Sequence, residues 1–221
     1  MKTPFPAELQ AKVEASGVIA VLVIDEARHA VPVARALLEG GISAMELTLR
    51  SDAAIDAIKA IRAEVPEMLA GVGTVLRPDQ VRQVVDAGAA FAVAPGFNRR
   101  VVEAAIEAGM PFAPGIATPT DIEAALELDC RLLKFFPAEP SGGLKYLASM
   151  AAPYAHLKIR YVPLGGLDAG NMRTYLESPL IGALGGSWIA PRDLIKAEQW
   201  DQIRERAAEA TKIVREVRGQ A

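Results

Sequence analysis

The chain has one cysteine and two histidines among its 221 residues. Cys130, standing alone, forms no intrachain disulfide and anchors no cysteine-based metal site. His29 and His156 lie far apart in sequence, so a histidine-rich metal site is not expected. There is no excess of positive charge. The formal net charge is −3, and nothing offsets phosphate repulsion for general nucleic-acid binding. No apolar signal-peptide core follows the opening Met-Lys-Thr-Pro-Phe-Pro. The longest early apolar run, Gly17 to Ile24, is 8 residues, against about 20 for a membrane span. No Ser/Gly-rich linker divides the chain. The expectation is therefore one soluble, cytoplasmic domain over residues 1–221, with neither a nucleic-acid nor a membrane partner. What is present is apolar: 51% of residues are hydrophobic and 23% charged, ample for a core and unlike a disordered chain.

Short apolar runs alternate with amphipathic segments. The pattern predicts strands at 18–24, 42–49, 69–74, 90–95, 111–116, 132–136, 158–164 and 181–185. Helices are predicted at 26–39, 51–64, 78–87, 98–108, 119–128, 142–150 and 168–177, with a further helix at the N-terminus. Strands separated by helices imply a parallel sheet. Eight such units in about 200 residues point to a closed (βα)8 TIM barrel, with a doubly wound open sheet as the competing topology. Glu39-Gly40-Gly41, Asp86-Ala87-Gly88 and Glu107-Ala108-Gly109 each read as a helix end leading into an apolar run. Ser51-Asp52, Arg77-Pro78-Asp79 and Thr118-Pro119-Thr120-Asp121 read as helix starts. Near the C-terminus, Trp200, Ile203, Ala207, Ala210, Val214 and Val217 step by three and four, a stripe suited to packing on the barrel exterior.

The second predicted strand carries polar residues that do not belong in a core. Side chains alternate along a strand. Met45, Leu47 and Leu49 share an apolar face for the helix layer, while Glu46, Thr48 and Arg50 share the inward face. A carboxylate, a hydroxyl and a guanidinium on one inward stripe are costly unless paired. They cluster toward the strand's C-terminal end, where barrel enzymes build active sites. A structural Glu46–Arg50 ion pair and a functional site both fit. In Leu132-Leu133-Lys134-Phe135-Phe136, Leu133 and Phe135 point one way and Leu132, Lys134 and Phe136 the other. Desolvation disfavours an ammonium, and the neutral amine it leaves attacks carbonyls to form Schiff bases. A lysine snorkelling from a strand edge fits the same segment.

Glycine-rich stretches follow several predicted strands: Gly71-Val72-Gly73-Thr74, Leu164-Gly165-Gly166 and Gly185-Gly186-Ser187. Barrel enzymes often bind phosphate after strands 7 and 8, and glycines let backbone N–H groups approach an anion. Gly142-Gly143 reads as an ordinary loop. An amine, a carboxylate, an arginine and a phosphate cradle together suit carbon–carbon chemistry on a phosphorylated keto acid. Arg50 would clamp a carboxylate, Glu46 would move protons and Lys134 would hold the electron sink as an iminium. His29, beside Arg28, and His156, in a polar loop, read as surface residues. Cys130 reads as a small structural residue, and Trp188 as packing a loop.

At these residues the sequence resembles the class I 2-keto-3-deoxy-6-phosphogluconate (KDPG) aldolase / 4-hydroxy-2-oxoglutarate aldolase family. The matching pieces are Glu46-Leu47-Thr48-Leu49-Arg50, Gly71-Val72-Gly73-Thr74-Val75-Leu76, Ala94-Pro95-Gly96, Pro114-Gly115-Ile116-Ala117-Thr118, Lys134-Phe135-Phe136-Pro137-Ala138-Glu139 and Gly185-Gly186-Ser187-Trp188. They run in order from about Gly17 to Pro191. The resemblance implies cleavage of a phosphorylated 2-keto acid to pyruvate and glyceraldehyde 3-phosphate, with no metal or other cofactor. It assigns Lys134 as Schiff-base former and Glu46 as acid/base. Arg50 and Thr74 would hold the pyruvate carboxylate, Pro95 and Phe136 would wall the pocket, and Gly165, Gly166 and Ser187 would bind phosphate, beside Gly185 and Gly186. It also implies a homotrimer. Two departures stand out. The family commonly has Thr-Gly-Gly where this chain has Leu164-Gly165-Gly166, so an isobutyl group replaces a hydroxyl near the lysine. After the first strand the chain reads Val23-Ile24-Asp25, where some relatives of the broader group place a basic residue.

Overall fold

The computed structural model describes residues 4–219. After helix α1 (Ala7–Ser16), strands and helices alternate: β1 (Val18–Leu22), α2 (Ala30–Glu39), β2 (Ala44–Thr48), α3 (Ala54–Glu64), β3 (Leu69–Gly73), α4 (Pro78–Asp86), β4 (Ala92–Val93) and α5 (Arg99–Glu107). Next come β5 (Phe112–Ala113), β6 (Gly115–Ile116), α6 (Pro119–Leu126), β7 (Leu132–Phe135), α7 (Gly143–Ala151) and β8 (Arg160–Pro163). The series ends with α8 (Met172–Leu176), β9 (Leu184–Gly186), α9 (Arg192–Lys196) and α10 (Trp200–Arg218). No described helix is long and apolar enough to cross a membrane.

All strand pairings are parallel. Six strands hydrogen-bond in the order β5-β4-β3-β2-β1-β9, and three in the order β6-β7-β8. Pro114 accounts for the break between the two sheets. It has no N–H to give to a ladder, so the strand predicted at 111–116 divides into β5 and β6. Its carbonyl still accepts from the Lys134 N–H at 2.9 Å. At the other side, Tyr161 on β8 forms an isolated parallel bridge with Ile181, just before β9.

Period-2 alternation sorts side chains between two cores. Met45 and Leu47 of β2 and Leu133 and Phe135 of β7 join the large core between sheet and helices. Ala44 and Leu132 face the other way, into a smaller cluster inside the curl with Ile19, Phe91, Val93, Val162 and Leu164. Phe5 and Val13 of the N-terminal segment complete that cluster, the Phe5 ring standing 6.1 Å from the Phe91 ring. Small and large residues interlock within the curl. A methyl group on Gly71 would meet the Phe91 ring at 2.3 Å, and one on Gly185 would meet Leu164 Cγ at 2.2 Å.

The helix signals act as their chemistry dictates. α2, α4 and α5 end in the same way: Gly41, Gly88 and Gly109 are left-handed, and each donates back to the carbonyl three residues earlier. Thr118 caps α6 with its hydroxyl while Asp121 reaches back to the Thr118 N–H. In α10, Ile203, Ala207, Ala210 and Val214 are buried, and a methyl on Gly40 would meet Ala207 Cβ at 2.4 Å, so this helix lies directly on the end of α2. The helix predicted over 26–39 begins as a 3-10 turn over Ala27–His29, and α9 carried no sequence signal long enough to predict it. His29 is not a surface residue. It is 2% exposed, its ring is 5.8 Å from Trp200, and its Nε2 lies 3.2 Å from Glu198 Oε1. His156 is exposed and Cys130 is buried, as expected.

Candidate active site

β2 and β7 face each other across the interior of the curled sheet. Glu46 projects inward from the middle of β2, and Lys134 from β7. Lys134 Nζ donates to both Glu46 oxygens, at 2.8 and 3.1 Å. The two residues are 2% and 6% exposed, so this is a buried, bidentate ion pair. Lys134 does not snorkel, and Glu46 pairs with Lys134 rather than Arg50. The Arg50 Nε donates instead to Thr48 Oγ1 at 3.0 Å, and the Thr48 hydroxyl donates to the Leu22 carbonyl at 3.1 Å.

Above the pair opens a cavity of about 360 Å³, within the size range of small-molecule sites. Glu46, Arg50, Thr74, Pro95, Lys134, Phe136, Leu164, Gly165, Gly166, Gly185 and Ser187, all expected from the sequence, line it. Gly186 does not. A methyl there would meet the Trp188 ring at 2.3 Å, so this glycine makes room for a tryptophan that packs the loop. Val21, Thr48 and Leu167 also line the cavity. Thr48 stood in the inward polar stripe without a role of its own, whereas Val21, the β1 partner of Glu46 in the ladder, and Leu167 carried no signal in the sequence.

Two further features bear on chemistry. Thr74, just beyond β3, has φ 63°, a left-handed conformation that costs a non-glycine residue about 1–3 kcal/mol and recurs at functional sites. The carbonyls of Leu164, Gly165 and Gly166 accept from the Ala138 N–H (2.7 Å), the Glu139 N–H (3.0 Å) and the Asn171 amide (3.0 Å). The loop is thus held from its carbonyl side. Below the ion pair the surroundings are apolar side chains including Phe5, Phe91, Leu132 and Val162. The pair therefore has an apolar floor and opens above into the cavity. Nζ also lies 5.8 Å from the Phe136 ring centroid. Among the described residues, no group of three or more His, Cys, Asp or Glu side chains is placed to hold a metal ion.

Comparison with known proteins places this arrangement in a family. The family model described as KDPG and KHG aldolase matches residues 9–206. The KHG/KDPG aldolase of Escherichia coli K12 is 42% identical over 193 residues, covering 87% of this chain and 90% of that protein. The crystal structure of a Legionella pneumophila KDPG aldolase, with pyruvate captured as a covalent carbinolamine, superimposes with a TM-score of 0.86 at 36% identity, covering 90% of this chain and 96% of the other. The Zymomonas mobilis ZM4 aldolase, solved with 3-phosphoglycerate, gives 0.84 at 36% identity, with coverages of 93% and 95%. The chain belongs to the KDPG and KHG aldolase family.

Proposed function

We propose that this protein is a class I aldolase that cleaves 2-keto-3-deoxy-6-phosphogluconate to pyruvate and D-glyceraldehyde 3-phosphate, and 4-hydroxy-2-oxoglutarate to pyruvate and glyoxylate. The observation that carries the reading is the buried Lys134–Glu46 pair under an open cavity. Lys134 yields a proton to Glu46, and the free amine attacks the C2 ketone. Glu46 returns that proton to the carbinolamine hydroxyl, which leaves as water and gives an iminium beside a regenerated carboxylate. Glu46, through a water, takes the C4 hydroxyl proton, the C3–C4 bond breaks, and its electron pair moves into the iminium to form an enamine. The aldehyde departs, the enamine is protonated at C3, and hydrolysis frees pyruvate and Lys134.

Arg50 and Thr74, just past the ends of the neighbouring strands β2 and β3, hold the substrate carboxylate, Arg50 as a two-pronged donor. Pro95 and Phe136 wall the reacting carbons. Gly165, Gly166 and Ser187 receive the phosphate, a role supported by their place on the cavity wall and by the loop's carbonyls being held by Ala138, Glu139 and Asn171. Gly185 and Leu164 close the wall beside them. We read the two sheets as one closed (βα)8 ring, joined across Pro114 on one side and through the Tyr161–Ile181 bridge on the other. The enzyme acts as a cytoplasmic homotrimer; a place in the Entner–Doudoroff pathway is supported by the names of its relatives. Release of pyruvate from 2-keto-3-deoxy-6-phosphogluconate, followed by coupled reduction to lactate, tests the activity. A protein that isomerises a sugar phosphate but releases no pyruvate would overturn it.

A further inference from the structure

We infer that Gly73 is a positioning residue for proton transfer, reserved for glycine so that the Glu46 carboxylate can lie against β3 and face the Lys134 amine. The inference rests on the roles proposed for that pair. A methyl group at position 73 would sit 1.9 Å from Glu46 Oε1, 2.6 Å from Cδ and 2.8 Å from Cγ. Contacts of that length do not occur between real side chains, so one partner must move. The backbone does not itself require glycine, because Gly73 is not among the residues with positive φ. The three nearest atoms such a methyl would meet all belong to the Glu46 side chain.

Neither partner can move freely. Gly73 stands opposite Thr48 in the β2–β3 ladder and its carbonyl accepts from the Leu49 N–H at 2.9 Å, while Val72 is paired with Ala92 on the other side. β3 is therefore fixed between two strands. Beneath the carboxylate the lining is apolar apart from the ion pair itself, so an ionised group pushed there would lose its polar partners. The direction left is toward the cavity, away from Nζ and into space the substrate occupies. Gly71, one inward position earlier, differs in kind. Its missing side chain accommodates the Phe91 ring, a purely structural neighbour.

The test pairs Gly73→Ala with Glu46→Asp, which withdraws the carboxylate by one methylene. Gly73→Ala in the otherwise unchanged enzyme is expected to lower kcat by about 100-fold or more, the span of a lost acid–base group. The KM for substrate should move far less. In the Glu46→Asp background the same change is expected to cost under about 10-fold, because the clash partner has been shortened. Equal penalties in both backgrounds would overturn the inference. If Gly73→Ala alone does not fold, thermal unfolding of the double variants decides: Glu46→Asp or Glu46→Ala should restore folding, and failure of both to do so overturns the inference. This arm needs no turnover, so it is distinguishable from failure of the aldolase assignment. Gly71→Ala should be rescued by Phe91→Leu and not by Glu46→Asp. Rescue of Gly71→Ala by Glu46→Asp would mean that position 46 relieves strain anywhere on β3, and would also overturn the inference.

Discussion

Lys134 and Glu46, 88 positions apart in sequence, meet through both carboxylate oxygens inside the curl of the sheet. A buried pair of this kind is a poor stability device, since desolving both charges opposes their attraction. Removing one partner leaves the other charge stranded. Lys134→Ala is therefore expected to abolish turnover and to destabilise the fold by about 3–5 kcal/mol. The double change Lys134→Met/Glu46→Leu should be inactive yet as stable as the parent or more so. Glu46→Gln should lower the rate by about 10²–10⁴-fold. Denaturant melts beside kinetic assays check all three.

In the proposed mechanism Arg50 serves binding rather than folding. It is exposed at the cavity rim and donates only laterally, to Thr48. Arg50→Ala should change stability by less than about 0.5 kcal/mol. It should weaken keto-acid binding by about 1.5–3 kcal/mol, the worth of a hydrogen bond to a charged group. Lysine at this position should not restore the affinity, because an ammonium lacks the planar fork. Substrate-dependent initial rates measure the effect as a rise in KM.

Asp25, at the end of the first βα loop, ties that loop to α9. Arg192 grips its carboxyl by two hydrogen bonds and Lys196 lies 3.2 Å away. The Arg192 hydrogen bond, with lesser help from Lys196, lowers the Asp25 pKa to about 2 from an ordinary 3.8. A carboxyl depressed in the folded state contributes stability above its unfolded pKa, lost as pH falls through the folded value. Between about pH 4 and pH 2, the melting temperature of the parent should fall more steeply than that of Asp25→Asn. Parallel slopes would contradict this.

Cys130 should be inert. It is 1% exposed, and burial pushes its thiol up to about 12. Iodoacetamide should not label the folded protein at neutral pH, and should label it after unfolding. EDTA should leave turnover unchanged, because in this mechanism the iminium takes the role a metal would otherwise play.

Much of this site was legible because strands alternate. Glu46, Thr48 and Arg50 could be placed on one face, and Lys134 on another inward face, from period alone. What period does not show is which residues meet. The choice of Lys134 over Arg50 as the partner of Glu46 depends on the curl that brings β2 opposite β7. The glycines show the same limit. Gly186 suggested backbone approach to an anion, whereas it makes space for the nearby Trp188 ring, and Gly73, read only as part of a glycine-rich stretch, makes space for Glu46. His29 was misread because its neighbour Arg28 is solvated, while the 3-10 turn rotates His29 itself onto Trp200. The strand at 111–116 was found, but its division by Pro114 follows from a missing N–H that hydropathy does not register.

The most direct test of the chemistry is reduction with borohydride in the presence of pyruvate, read by peptide mass spectrometry. One reduced pyruvyl adduct is expected, on Lys134, and none in Lys134→Ala. An adduct on another lysine, or full turnover with no adduct at all, would contradict the Schiff-base mechanism proposed for this protein.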